Sequence, residues 1–220
     1  MPNHITNYVR IGGSKAKIDF LVKNVKLIRE PDEKLDDENE FDFNGIIEMP
    51  DELKHTKSPT DVFETQEEVD AANAKFSTSP LASTLQHETA AITKEEADRR
   101  MEKHNALNWY DWANNYWGTK WGAYDVHYLG GNDTEIAVVF NTAWSPPEEI
   151  FRMLEETDYS VDCFWQDEDP SNEGEWGEPY KYFAVDRPPI EVDYMDPADR
   201  WQPPTPEKQA EILKEVANGK

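Results

Sequence analysis

A single cysteine, Cys163, stands in a chain of 220 residues, so an internal disulfide and a multi-thiol zinc site are both excluded. No apolar run reaches the ~18 residues needed to cross a bilayer, and no charged-then-apolar leader precedes a cleavage site. These absences point to a cytoplasmic protein with no membrane partner. Basic residues are also scarce: 22 Lys and Arg face 46 Asp and Glu, for a formal charge of -24. Affinity for nucleic acid comes largely from cations that release condensed counterions, so direct nucleic-acid binding is disfavoured. The attractive partners are basic ones. His4, His55, His87, His104 and His127 lie far apart without HxH or HExxH spacing, and the chain has no GxSxG elbow, GxxxxGK loop or G-x-G-x-x-G. No metal, cofactor or catalytic residue is therefore assigned.

What the sequence has is tryptophan, and four of its eight fall between Asn108 and Asp125. Trp109, Trp112, Ala113, Tyr116 and Trp117 follow the i, i+3, i+4, i+7, i+8 spacing of one helix face, and Gly118 closes the helix. Two readings stand side by side. The face is either the buried anchor of a core, or an aromatic platform beside a pocket formed by Trp109, Asp111, Trp112, Asn115, Lys120 and Trp121.

Around that helix the chain alternates strands and helices. Residues 1–13 predict a strand, and Ser14 caps a helix to Asn24. The run 41–50 predicts a short extended apolar segment stopped by Pro50. Residues 51–91 are polar enough to suggest an insertion with a short helix near 65–75, in part without order. Thr93-Lys94-Glu95-Glu96 matches a capping box for a helix running into the Trp-rich stretch. Strands at 124–129 and 134–141 flank the turn Gly130-Gly131-Asn132-Asp133. Ser145-Pro146-Pro147-Glu148 predicts a helix capped by Ser145, with Ile150, Phe151 and Leu154 inward, and a strand through Val161, Cys163 and Trp165 follows by a right-handed crossover. Tyr180 to Val185 predicts one more strand. Paired prolines at 188–189 and 203–204 then lead to a helix over 206–217.

Several of these stretches carry a family resemblance: Met1-Pro2-Asn3-His4-Ile5-Thr6-Asn7, Phe41-Asp42-Phe43-Asn44 to Met49-Pro50, Trp109-Tyr110-Asp111-Trp112, Asn115 to Trp121, and Phe140 to Pro147. Together they resemble the YubB-like family of phage and plasmid proteins, over residues 1–50 and 93–185. The resemblance implies an α+β fold with a ferredoxin-like sheet and helices packed on one face. The domain would span 1–185, interrupted by a polar insertion at about 51–92, and 186–220 would form an extended tail with a terminal helix. It implies a mobile-element origin but no activity, since the family has no established catalytic residues to carry over.

Charge is distributed unevenly. Residues 148–178 carry twelve acids against one base, Arg152, whereas Arg10, Lys15, Lys17, Lys23, Lys26 and Arg29 make the first thirty residues locally basic. A row of carboxylates on a rigid surface imitates duplex phosphates, spaced at about one charge per ~1.7 Å. The expected partner is a host protein with a basic nucleic-acid-binding surface, such as a defence enzyme, which this chain would inhibit. Its binding residues would be Glu155, Glu156, Asp158, Asp167, Glu168, Asp169, Glu173, Glu175, Trp176 and Glu178. The alternative is an enzyme or small-ligand module using the aromatic pocket. Asp169-x-Ser171-x-Glu173-Gly174 imitates the first half of a calcium loop, but Tyr180 stands where the bidentate glutamate belongs.

Overall fold

The computed structural model describes residues 3–29, 39–78, 90–169 and 171–177. The expected strand at 180–185, the tail and its helix, Glu178 and Tyr180 lie outside them. The described chain is a mixed α+β fold with an antiparallel five-stranded sheet and a smaller parallel one.

Strand β1 (His4–Gly12) buries every second residue, Ile5, Asn7, Val9 and Ile11, as a strand covered on one face must. Helix α1 (Lys15–Asn24) follows. The Ser14 hydroxyl accepts the Lys17 amide, and Ile18 and Leu21 turn inward. The hairpin β4 (Tyr124–Asn132) and β5 (Glu135–Ala143) leads into α6 (Glu148–Glu156), β6 (Ser160–Asp167) and a short strand β7 (Glu173–Trp176). The strand order is β4-β5-β1-β6-β7. Strands β5 and β6 both run antiparallel to β1, with Val9 opposite Val138 on one side and Cys163 on the other. They are thus parallel to each other, as the sequence predicts, but β1 lies between them.

One core holds the sheet to its helices. It joins Val9, Ile11, Ile136, Val138, Phe140, Val161 and Cys163 to Ile18 and Leu21 of α1 and to Ile150, Phe151 and Leu154 of α6. The aromatic helix α5 (Trp109–Tyr116) adds Trp112 and Ala113, Trp117 caps it, and Gly118 leaves it at φ +77°.

Four expectations need correction. Residues 41–50 are not extended: Asp42 accepts the Asn44 amide and a 3₁₀ turn forms at Phe43–Gly45, because these Asx side chains satisfy the backbone locally. Phe41 stacks on Phe140 at 5.1 Å, and Trp117 Nε1 donates to the Ile47 carbonyl. The polar stretch carries the expected helix as α3 (Gln66–Thr78) and, beyond it, α2 (Asp51–Lys54), β2 (Thr60–Phe63) and β3 (Ala90–Thr93), with β2 and β3 paired in parallel. A complete capping box between Thr65 and Glu68 starts α3. Helix α4 (Lys94–His104) begins with Thr93 accepting the Glu96 amide, but it does not run into α5. Asn105 takes a left-handed conformation, φ +52°, and Asn108 caps α5 afresh by accepting the Tyr110 and Asp111 amides. Lastly, α6 is capped at Pro147 without a side-chain bond, since the Ser145 hydroxyl donates to the Gly118 carbonyl instead.

Candidate functional site

Of the predicted acids, Glu173 and Glu175 lie on the outermost strand, Glu155, Glu156 and Asp158 at the end of α6, and Asp167, Glu168 and Asp169 where β6 ends. Strand β7 is the outermost strand of the main sheet among the described residues, paired with β6 so that Trp176 lies opposite Cys163 and Gly174 opposite Trp165. Trp176 is half-buried and rests on Phe151 of α6, ring centroids 5.9 Å apart, which fixes helix and edge strand to each other. Glu173 and Glu175 are exposed along β7, and Glu155 and Glu156 are exposed at the end of α6. The nearby cations are consumed internally. Arg152 binds Glu149 and Glu156 on its own helix, and Lys17 reaches across to Asp158 at 3.2 Å.

Some predicted carboxylates are structural. Asp167 accepts from Asn172 Nδ2 at 2.8 Å, and Asp169 accepts the Ser171 amide and hydroxyl, bonds that hold its carboxyl below the usual range. The Asp169 carboxylate is thereby spent on shaping the turn between β6 and β7. Glu168 accepts the His4 amide at 3.1 Å and sits 3.6 Å from the His4 ring. Most of the basic residues among the first thirty are likewise paired. Arg10 pairs with Glu135 and Asp162, Lys15 with Asp19 and Asp133, Lys26 with Glu40 and Asp42, and Arg29 with Asp19.

The Trp-rich pocket divides. Trp112 belongs to the core, stacked on Tyr116 at 4.9 Å. Trp109 is half-buried, its amide donating to Thr56 Oγ1. Asp111 accepts the Leu107 amide and Asn115 donates to the Asn105 carbonyl, so both brace the junction of α4 and α5. Lys120 and Trp121 reach the first turn of α5 through Tyr110, at the end of the sheet where β1 begins and β5 ends. There the Lys120 ammonium lies 4.6 Å from the Trp121 ring, 4.6 Å from the Trp144 ring and 6.0 Å from that of Tyr110. Tyr110 and Trp144 meet edge to face at 6.1 Å. Buried Thr119 donates to the Ala143 carbonyl and Ser145 to that of Gly118, stitching the turn that carries Lys120 to the end of β5. Trp144 is 46 % exposed and sits at φ +73°, a costly conformation for a bulky residue. Its amide donates to the Asn3 carbonyl at 2.9 Å.

Tyr110 and Trp144 escape the sequence reading. The only available signal was an isolated tryptophan directly after a strand, before Ser-Pro-Pro. Beside them, His4 Nδ1 and the Tyr124 hydroxyl share a hydrogen bond of 2.5 Å. Cys163 is fully buried, which pushes its thiol well up and keeps it protonated. Among the described residues no group of His, Cys, Asp and Glu is placed to hold a metal ion, and no helix is long and apolar enough to cross a membrane. No protein-family model, curated protein or solved structure matches the chain.

Proposed function

We propose that the chain is an accessory protein that binds the basic, nucleic-acid-binding surface of another protein along its β7 edge. In this reading it imitates DNA charge and occupies the groove of a host nucleic-acid-processing or defence enzyme in the cytoplasm of a host carrying a phage or plasmid. One observation carries the reading. The only base between residues 148 and 177, Arg152, is tied to its own helix, while acids flank the edge on both α6 and β7. An excess of acid over base on a fixed scaffold steers a cationic partner and makes its association salt-dependent. The scaffold is ferredoxin-like in this proposal, supported by the order β1-α1-β4-β5-α6-β6 with β1 between β5 and β6.

The test is capture from host lysate on the immobilised chain across a salt series, with duplex DNA as competitor. Captured proteins should be nucleic-acid-binding and should leave with salt and with DNA. The triple variant Glu155→Lys, Glu173→Lys, Glu175→Lys should lose them with little change in melting temperature. No partner at low salt, or one retained by the triple variant, overturns the proposal.

A further inference from the structure

We propose that Tyr110, Trp121 and Trp144 form a cation-recognition cage, that its ligand is an arginine side chain of the basic partner, and that Lys120 is the resident stand-in. This rests on the reading above for the source of the arginine, though the cage itself is argued independently. Aromatic faces are negative, and a cation within about 6 Å of several ring centroids is attracted by each. The structure displays that chemistry already, with one ammonium at 4.6, 4.6 and 6.0 Å from three rings. No carboxylate among the described residues pairs with Lys120, unlike Arg10, Lys15, Lys17 and Lys26.

The cage is built rather than incidental. Trp144 is held at its costly positive φ with the help of its amide bond to Asn3, while the bonds from Thr119 and Ser145 fix the opposite wall to the same strand end. Trp144 is 46 % exposed, so the cage opens to solvent. Lys120 sits on a flexible stem, and its ammonium is strongly hydrated, so it returns to water at small cost. A guanidinium is planar, more weakly hydrated and stacks on indole, which makes it the better occupant. A net charge of -24 raises the local concentration of any cation near this mouth.

The experiment is a titration of the full chain with N-acetyl-arginine amide, followed by NMR of the indole Nε1–H signals, with N-acetyl-citrulline amide as the neutral isostere. The Trp121 and Trp144 signals should move with arginine and not with citrulline. Lys120→Ala should tighten the arginine response by about threefold or more, because the stand-in is gone. Trp144→Phe should weaken it several-fold and Trp144→Ala abolish it, with melting temperature checked for each. An equal response to citrulline, or an unchanged response in Lys120→Ala, overturns the cage. The triple lysine variant of the β7 edge should leave this titration nearly intact, so the two proposals fail separately. A partner captured equally well by Trp144→Ala would refute the partner as the source of the arginine.

Discussion

Replacing Gly174 by alanine tests whether the β7 edge is as fixed as the binding proposal requires. Gly174 lies opposite Trp165, and a Cβ there falls 2.4 Å from Cζ2 of that indole, 2.6 Å from Cε2 and 2.8 Å from Nε1. Either the ring turns away or β7 lifts, and overpacking of this kind costs about 1–3 kcal/mol. The strand has four residues and sits outermost among those described, so the cost falls on local opening rather than global unfolding. At about 1.4 kcal/mol per decade, the opening constant rises roughly five- to 150-fold. Hydrogen exchange of the amides shared by β6 and β7 should accelerate by that factor, while those between β1 and β5 stay unchanged. Retention of the basic partner should fall with it, since Glu173 and Glu175 ride on the strand. Gly122→Ala is the control, for nothing lies within 4 Å of a Cβ there. Equal exchange in the two variants would show that Trp165 is not seated over Gly174 and would refute the reasoning.

Other outcomes follow from the same geometry. Phe140→Ala removes a fully buried ring packed on Phe41 and Phe43 and should cost about 3–5 kcal/mol in denaturant unfolding. Asn108→Ala deletes the cap of α5 and the bond to Thr60, and should lower stability by about 1–2 kcal/mol, read from the urea midpoint. The hydrogen bond from Arg99, supported by Arg100, holds Glu96 down to about 2. Its folded value lies below the unfolded one, so its contribution is present above about pH 4.5 and lost as pH falls toward 2. Protection factors of the α4 amides, which correct for the intrinsic pH dependence of exchange, should fall across that window, and Glu96→Gln should flatten the dependence.

Much of the frame was legible because its signals are local. Ser14, the alternation of Ile5, Val9 and Ile11, the turn before Glu135 and the inward face of α6 each sit within a few residues of what they determine. What escaped depends on distant partners. Ser145 looked like a cap, but the Gly118 carbonyl claims its hydroxyl. Residues 51–91 offered only a short helix near 65–75, which forms as α3, yet parallel pairing of Thr60–Phe63 with Ala90–Thr93 also gives their backbone a partner about thirty residues away. Acidic composition pointed to the β7 edge but not to which carboxylates are committed. Asp158 and Asp169 find partners through Lys17 and a turn. Trp144 joined Lys120 only because α5 and β5 end together.

The hydrogen bonds at the foot of α5 have a consequence for how the chain tolerates change. The Trp109 amide meets Thr56 Oγ1 at 2.8 Å and the Asn108 side chain meets Thr60 Oγ1 at 3.0 Å, so the path leaves near Thr56 and returns to the same spot some fifty residues later. Such a doorway lets a foreign segment be spliced into the excursion between them without parting Thr56 from Trp109 or Thr60 from Asn108, the contacts that hold the foot of α5.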